Sequence, residues 1–399
     1  MTGSPNTLSE TEAAVRDAIE ARRSLLLADL RAAVETPTGP GSGDGIERQR
    51  AFFADRLADL GATHERVAGE PRPSWMDQPE TPPDASLFHP QQGHGPRVLI
   101  AGHLDTVHHV DSGFDRLHLR DDGTATGPGC VDMKGGLVIA LHAIETLHEL
   151  ALPVNWSFFL NTDEETGTYH SDAALRRVSE AHDLGIALEP ALAGGELAIE
   201  RVGSGQFMVE VFGRSAHVGR AFQDGVSAVS ELARIVAELA AVPEPARGKI
   251  LNVGPLQGGA ATNAVPDYAA AWGNVRFPNA VVERELAETL ESYATAQDAM
   301  PRVTIHRSFN RPAKPLIPAT ESLALQARRV AEALGQQLPF AKTGGVCDGN
   351  IMQDAGLPTI DTLGVRGGGL HTPDEWIELE SLVERCQLLA VLLARLSQQ

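Results

Sequence analysis

Short apolar runs alternate with amphipathic stretches of helical period along most of this chain. Residues 11–34 and 47–60 carry helical spacing, the second with Phe52, Phe53, Leu57 and Leu60 on one stripe and Gly61 as its stop. The run VLIAG at 98–102 predicts a buried parallel strand, MKGGLVIALHAIETLHEL a helix and VNWSFFLNT a second strand. SDAALRRVSEAH then predicts a helix and GIALE a third strand. Repeated βα alternation of this kind implies an α/β fold, a mostly parallel sheet sandwiched by helices. Between Pro71 and Pro90 the polar, Pro-rich stretch PRPSWMDQPETPPDASLFHP reads as a surface loop.

The middle of the chain has a different rhythm. GQFMVEVFG predicts a strand, GVSAVSELARIVAELA a helix, KILNVGPLQGG and PDYAAAWGNVRF two strands, and VVERELAETLESYATAQ a helix with Val282, Leu286, Leu290 and Tyr293 in register. RVTIHRSF closes the series as a last strand. The order βαββαβ is a self-contained split motif. It ends at the Pro-rich NRPAKPLIP, after which a helix at 320–334, the segment GLPTIDTLG and a final amphipathic helix at 379–397 resume the first rhythm. Residues 203–311 are therefore expected to form an α+β lid domain inserted into a catalytic domain built from 1–202 and 312–399.

A length of 399 residues fits two such domains with separate cores. The charge balance, 33 Lys+Arg against 53 Asp+Glu for a formal net charge of -20, repels polyanions, so neither nucleic acid nor an anionic membrane is an expected partner. No apolar window approaches the roughly 18 residues of a membrane span. Cys130, Cys347 and Cys386 make no pairing framework, and the N-terminal stretch lacks a signal-peptide core, so a cytoplasmic location is expected.

The candidate chemistry is scattered but ordered: His103 and Asp105 in AGHLDT, Asp132 in GCVDMKGG, Glu164 and Glu165 in TDEETG, Glu189 in ALEP and His371 in GGLHTPDEW. Taken singly these motifs are ordinary, since an EE pair commonly opens a solvated helix. Several of them follow apolar strand-like runs, however, and ligands of open parallel sheets collect beyond the carboxyl ends of the strands. Imidazole and carboxylate groups suit zinc when thiolate is not offered. A carboxylate bridging two ions holds them as a clamp, and Asp132 suits that place.

The motifs in this order resemble a zinc carboxypeptidase and deacylase family that includes glutamate carboxypeptidase, acetylornithine deacetylase and succinyl-diaminopimelate desuccinylase. The likeness runs from the VETPTGP turn through the inserted lid to HTPDEW. It implies two zinc ions per chain, with cobalt or manganese also accepted by the same ligands. His103 and Glu189 would hold one ion, Glu165 and His371 the other, and Asp132 would bridge them. Asp105 would orient His103, and Glu164 would be the general base. In the lid, His217 of GRSAHVG would stabilise the oxyanion, reaching into a partner subunit's site, while Asn263 of ATNAVPD and Arg276 of WGNVRF would contact substrate. The TGGVCDGN segment resembles the family's substrate-lining loop, with Cys347 where many relatives carry serine or threonine and Asp348 in a structural place. His108, His109, His118, His142, His148, His170 and His182 fall outside the pattern and are assigned to surface or packing.

The resemblance implies a homodimer formed through the lid and a small peptide or N-acyl amino acid as substrate. Three readings follow. One is a carboxypeptidase releasing a C-terminal amino acid. Another is an N-acyl-amino-acid deacylase on the same machinery. The third is a catalytically silent metal- or peptide-binding module, disfavoured because Glu164 is a base outside the ligand set.

Overall fold

The computed structural model describes residues 7–77 and 80–399; residues 1–6 of the N-terminal stretch and positions 78–79 of the Pro-rich stretch lie outside them. The central sheet runs in the spatial order Thr63–Val67, Ala85–His89, Val154–Asn161, His94–His103, Leu184–Ala187, Thr359–Ile360. The last four strands are parallel neighbours, as the continuous apolar runs imply. The first two are antiparallel and correct the reading of 71–90 as loop throughout, because Ala85–His89 pairs with Phe158–Leu160 inside the sheet.

Alternation along the strands divides the core. Val98, Ile100, Phe158 and Leu160 face a large cluster with the helices Gly135–Glu149 and Leu379–Leu396, whereas Leu99, Ala101 and Phe159 face Leu175, Ile351 and Met352 on the other side. The helix expected over 11–34 is two, Glu10–Ala21 and Arg23–Val34, broken at Arg22. At that break the Arg22 guanidinium reaches Glu145 at 2.7 Å and Glu149. The helix expected from 47 begins earlier, as Gly43–Asp59.

The inserted segment folds on a core of its own. Its four strands lie in the order Ile250–Gly258, Tyr268–Phe277, Gly203–Phe212, Arg302–Arg311, all antiparallel. The helices Ala228–Leu239 and Ala280–Glu291 bury Leu232, Ile235, Val282, Leu286 and Leu290 against this sheet.

Where the chain crosses between the two units, the main chains of Arg201 and Lys314 exchange two hydrogen bonds of 3.0 Å. Their side chains converge on Asp361. Arg201 donates to Oδ1 from Nε at 3.0 Å and from Nη2 at 2.8 Å, while Lys314 Nζ lies 3.1 Å from Oδ2, an ion pair without hydrogen-bond alignment. Asn350 Nδ2 donates to the carbonyls of Val202 and Pro312 at 2.9 and 2.8 Å, fixing both crossing segments to the catalytic unit.

Candidate metal centre and active site

The carboxyl ends of the parallel strands carry the expected residues. His103 ends its strand, Asp163 to Glu165 follow Val154–Asn161, and Glu189 follows Leu184–Ala187. Asp132 comes from an irregular turn, Cys130–Lys134, that precedes the buried helix Gly135–Glu149. His371 stands at φ 61 in a turn after Gly369, the left-handed region that few non-glycine residues occupy.

Ligand atoms of His103, Asp132 and Glu165 lie within 4.8 Å of one another. His103 Nε2 is 3.3 Å from Asp132 Oδ1, and His371 Nε2 is 3.5 Å from Asp132 Oδ2 and 3.2 Å from Glu165 Oε2. His103 Nδ1 donates to the main-chain carbonyl of Asp105 at 2.9 Å, which fixes the tautomer and leaves the Nε2 lone pair facing Asp132. His103 Nε2, Asp132 Oδ1 and Glu165 Oε1 are buried and lack hydrogen-bond partners among the described residues. Buried polar atoms are nearly always satisfied, so acceptors converging in this way fit a shared cation.

The titration behaviour has the same origin. Burial opposes charge on Asp132, yet His103 and His371 hold its carboxyl below the usual range. Donation to the Asp132 and Glu165 carboxylates raises His371 to about 10. Burial works against a cation on His103, but Asp105 and Asp132 hold its pKa well above the ordinary value. Burial and the charge of Asp132 push Glu189 up to about 8, which places Glu189 in the field of the same cluster.

The Asp105 carboxylate seats the EE pair: Oδ1 accepts from the Glu164 amide at 3.2 Å and Oδ2 from the Glu165 amide at 2.9 Å. Its own contact with His103 Nδ1 is longer, 3.5 Å, so the main-chain carbonyl is the closer partner of that imidazole. Glu164 meets Arg311, whose Nη2 lies 2.6 Å from Oε1 and donates to the Glu164 carbonyl at 2.9 Å. Burial pushes the Glu164 carboxyl well above its ordinary value, and Arg311 opposes that shift.

Arg311 is a residue that the sequence reading missed, and Glu375 is another. The Glu375 carboxylate is fully buried and accepts from the amides of Gly129, Val131 and Asp132 at 2.8, 2.9 and 3.0 Å, with His108 Nε2 at 2.6 Å. It therefore shapes the turn that presents Asp132, and His108 supports it. Glu375 lies within the HTPDEW segment, but nothing local marks an acid there as a partner of amides 243 to 246 positions away.

The TGGVCDGN segment is only partly loop. Asp348–Asp354 is a helix, and Cys347, 1% exposed, caps it by accepting from the Gly349 amide at 3.3 Å. Asp348 accepts from Asn161 Nδ2 at 2.6 Å and Thr168 Oγ1 at 2.8 Å.

Arg276 lines a cavity of about 430 Å³ that also contains Glu165 and Arg311. His217 and Asn263 sit on two neighbouring exposed loops of the inserted unit, where the Val218 amide donates to the Asn263 carbonyl at 3.0 Å. Among the described residues, no hydrogen bond or ion pair joins His217 or Asn263 to the metal cluster.

A family model described as Peptidase family M20/M25/M40 matches residues 99–395. The chain belongs to this peptidase family. It is 27% identical over 380 residues to carboxypeptidase G2 of Pseudomonas sp. (strain RS-16), covering 91% of this chain and 87% of that one. It is 28% identical over 356 residues to a succinyl-diaminopimelate desuccinylase of Methylobacterium nodulans, covering 83% of this chain and 87% of that one. In fold it is similar to a dinuclear metal-binding peptidase of the M20 family, the YXEP protein of Bacillus subtilis, with a TM-score of 0.66 at 15% identity, over 95% of this chain and 99% of that one. The protein is thus a metal-dependent hydrolase of this family. Family membership removes the silent binding module from the three readings. Among the described residues, no helix is long and apolar enough to cross a membrane.

Proposed function

We propose that the protein hydrolyses an amide bond next to a free carboxylate and releases a C-terminal amino acid. The observation that carries this reading is the convergence of three unsatisfied ligand atoms, on His103, Asp132 and Glu165, with Glu165 also lining the cavity of Arg276. A deacylase acting on an N-acyl amino acid uses the same parts, and likeness to the desuccinylase supports it as the second reading.

His103, Asp132, Glu165, Glu189 and His371 would hold the metal, His103 and Glu189 on one side of Asp132 and Glu165 and His371 on the other, with zinc as the default. When bound, a pair of such ions polarises the scissile carbonyl and lowers the pKa of a shared water. Glu164 takes the proton of the attacking water and delivers it to the leaving nitrogen. Arg311, ion-paired with Oε1 of Glu164 and hydrogen-bonded to its carbonyl, keeps that carboxylate from turning away. Arg276 takes the substrate carboxylate through its planar fork. His217 stabilises the oxyanion from the lid of a partner subunit, a role that its exposed place, unconnected to its own chain's cluster, supports. Asn263, on the neighbouring loop, contacts substrate beside it. The pinned crossing at Arg201, Lys314 and Asp361 is the pivot about which the lid closes over the site.

The test is metal content together with hydrolysis of a panel of dipeptides and N-acyl amino acids, before and after chelation. About two metals per chain, and activity lost on chelation and restored by zinc, are expected. A metal-loaded protein that turns over no member of the panel refutes the proposal.

A further inference from the structure

The cavity between the units holds more positive charge than one carboxylate needs. Three guanidinium groups line it, Arg72, Arg276 and Arg311. Arg311 is committed to Glu164. Arg276 and Arg72 have no ion pair with any carboxylate among the described residues.

Arg72 comes from the Pro-rich stretch rather than from the sheet or the lid. Its Nε is buried without a hydrogen-bond partner, and its guanidinium lies 4.9 Å over the Tyr169 ring. The ring supplies stacking but no counter-charge, since burial pushes the Tyr169 phenol up to about 12. Asp77 lines the same cavity but is exposed and forms no ion pair with Arg72. An unpaired, partly buried guanidinium lying over an aromatic face keeps its donors available to whatever enters the cavity.

The segment bearing Arg72 is held from both sides. The Glu70 amide donates to the His170 carbonyl at 2.8 Å, His170 Nδ1 donates to the Glu70 carbonyl at 3.1 Å, and the Gly69 amide donates to Asp84 at 3.2 Å. On the lid side, Trp272 Nε1 donates to the Trp75 carbonyl at 3.1 Å, and the Trp75 ring stacks on His306 at 6.0 Å. A guanidinium on a segment fixed in this way is pre-organised for a ligand. A second cavity, of about 260 Å³, meets the first at Arg72, Thr166 and Tyr169, which leaves room for a substrate group beyond the scissile bond.

We propose that Arg72 determines specificity by gripping a second acidic group, so that the preferred substrate is a dianion with one carboxylate on Arg276 and the other on Arg72. The inference rests on the amide-hydrolase reading above. The second acid is carried either by the side chain of the released amino acid or by the acyl chain; the chemistry of recognition is the same.

The experiment uses metal-loaded full-length protein and two substrate pairs that differ by one amidated carboxylate: a dipeptide ending in glutamate against glutamine, and an N-succinyl amino acid against its N-succinamoyl counterpart. Parent protein is expected to prefer the acid member of one pair, and R72Q to shrink that acid-to-amide ratio of kcat/KM by about tenfold or more, mainly through KM. The responding pair identifies which end carries the acid. R72K, which keeps the charge but not the fork, should fall between the two, with melting curves confirming that each variant is folded. A parent with no acid preference in either pair overturns the proposal, as does an R72Q variant that lowers both members equally. Hydrolysis of neither pair, nor of the wider panel, by the metal-loaded parent refutes the amide-hydrolase reading itself, an outcome separate from hydrolysis without acid preference.

Discussion

Asp361 is the place where one side chain holds two units together, and D361N tests how. The carboxylate and the Lys314 ammonium are each 0% exposed and the Arg201 side chain 6%, so neither cation can turn to water when the acid is removed. The nearest alternative for Lys314 Nζ is the Ala198 carbonyl at 3.5 Å. Breaking a buried ion pair by removing one partner costs about 3–5 kcal/mol, and two stranded cations put this site at the upper end. At roughly 1 °C per kcal/mol for a chain of this length, the melting temperature should drop by about 5 °C. The charge also sets the pH dependence. Burial raises the Asp361 pKa, but Arg201 and Lys314 outweigh it and depress the folded value. A depressed carboxylate contributes stability above its unfolded pKa, near 4, and loses it as pH falls through the folded value. The gap between parent and D361N, followed by circular dichroism melts, should therefore be constant from pH 8 to pH 6 and narrow below about pH 4. The double variant D361L with K314M should recover part of the loss, since apolar replacement of a buried pair is tolerated. A D361N melt within about 1 °C of the parent, or a gap unchanged at pH 3, would refute the buried-charge reasoning.

Three further outcomes are expected. E164Q should lower kcat by about a hundredfold or more while metal content stays at the parent value, since Glu164 is not among the ligands; full activity would remove it as base. E375Q, which weakens the acceptor for the three amides around Asp132, should reduce metal affinity by about 10–100-fold, read by metal titration, with activity regained at high metal; unchanged affinity would show that the turn holds without it. H217A and E164Q, each inactive alone, should on mixing and subunit exchange recover about a quarter of parent activity, because half the dimers then carry one complete site; no recovery would place His217 outside the partner's site.

The parallel core was legible because its strands are buried on both faces and so read as continuous apolar runs: VLIAG, SFFLN and GIA. Thr63–Val67 was not, since THERV is exposed at all but its last residue and takes its place in the sheet only by pairing with Ala85–His89. That partner, ASLFH, hides behind prolines, and nothing within five residues reveals that Phe158–Leu160 lies beside it. The break at Arg22 has no Gly or Pro to mark it in the sequence, and the partners its side chain meets there, Glu145 and Glu149, are on another helix. Motif order brought out His103, Asp132 and Glu165, which the fold then drew together. Arg311, Glu375 and Arg72 escaped because an arginine or glutamate has no local signature until its partner is known.

Those late-found residues share a physical task. Asp132, Glu165 and Glu189 place three carboxylates around His103, an arrangement that repels itself and must be held open for a cation by something other than its own attractions. The holding is done one layer out and mainly through the main chain. Glu375 grips the amides around Asp132, Asp105 grips those of Glu164 and Glu165, and Arg311 grips the Glu164 carbonyl. Main-chain anchoring of Asp132 and Glu165 fixes where these side chains start while leaving carboxylate oxygens without hydrogen-bond partners, as a cation would require. The anchors of Asp132 and Glu165 lie in the unit that carries the parallel sheet, whereas Arg276 and Arg311, which line the cavity beside Glu165, lie on strands of the inserted unit. On the roles proposed above, movement of the inserted unit would shift Arg276 and Arg311 relative to Glu164 while the anchors of Asp132 and Glu165 stay in place, so a lesion at the Asp361 crossing should lower turnover while metal content holds.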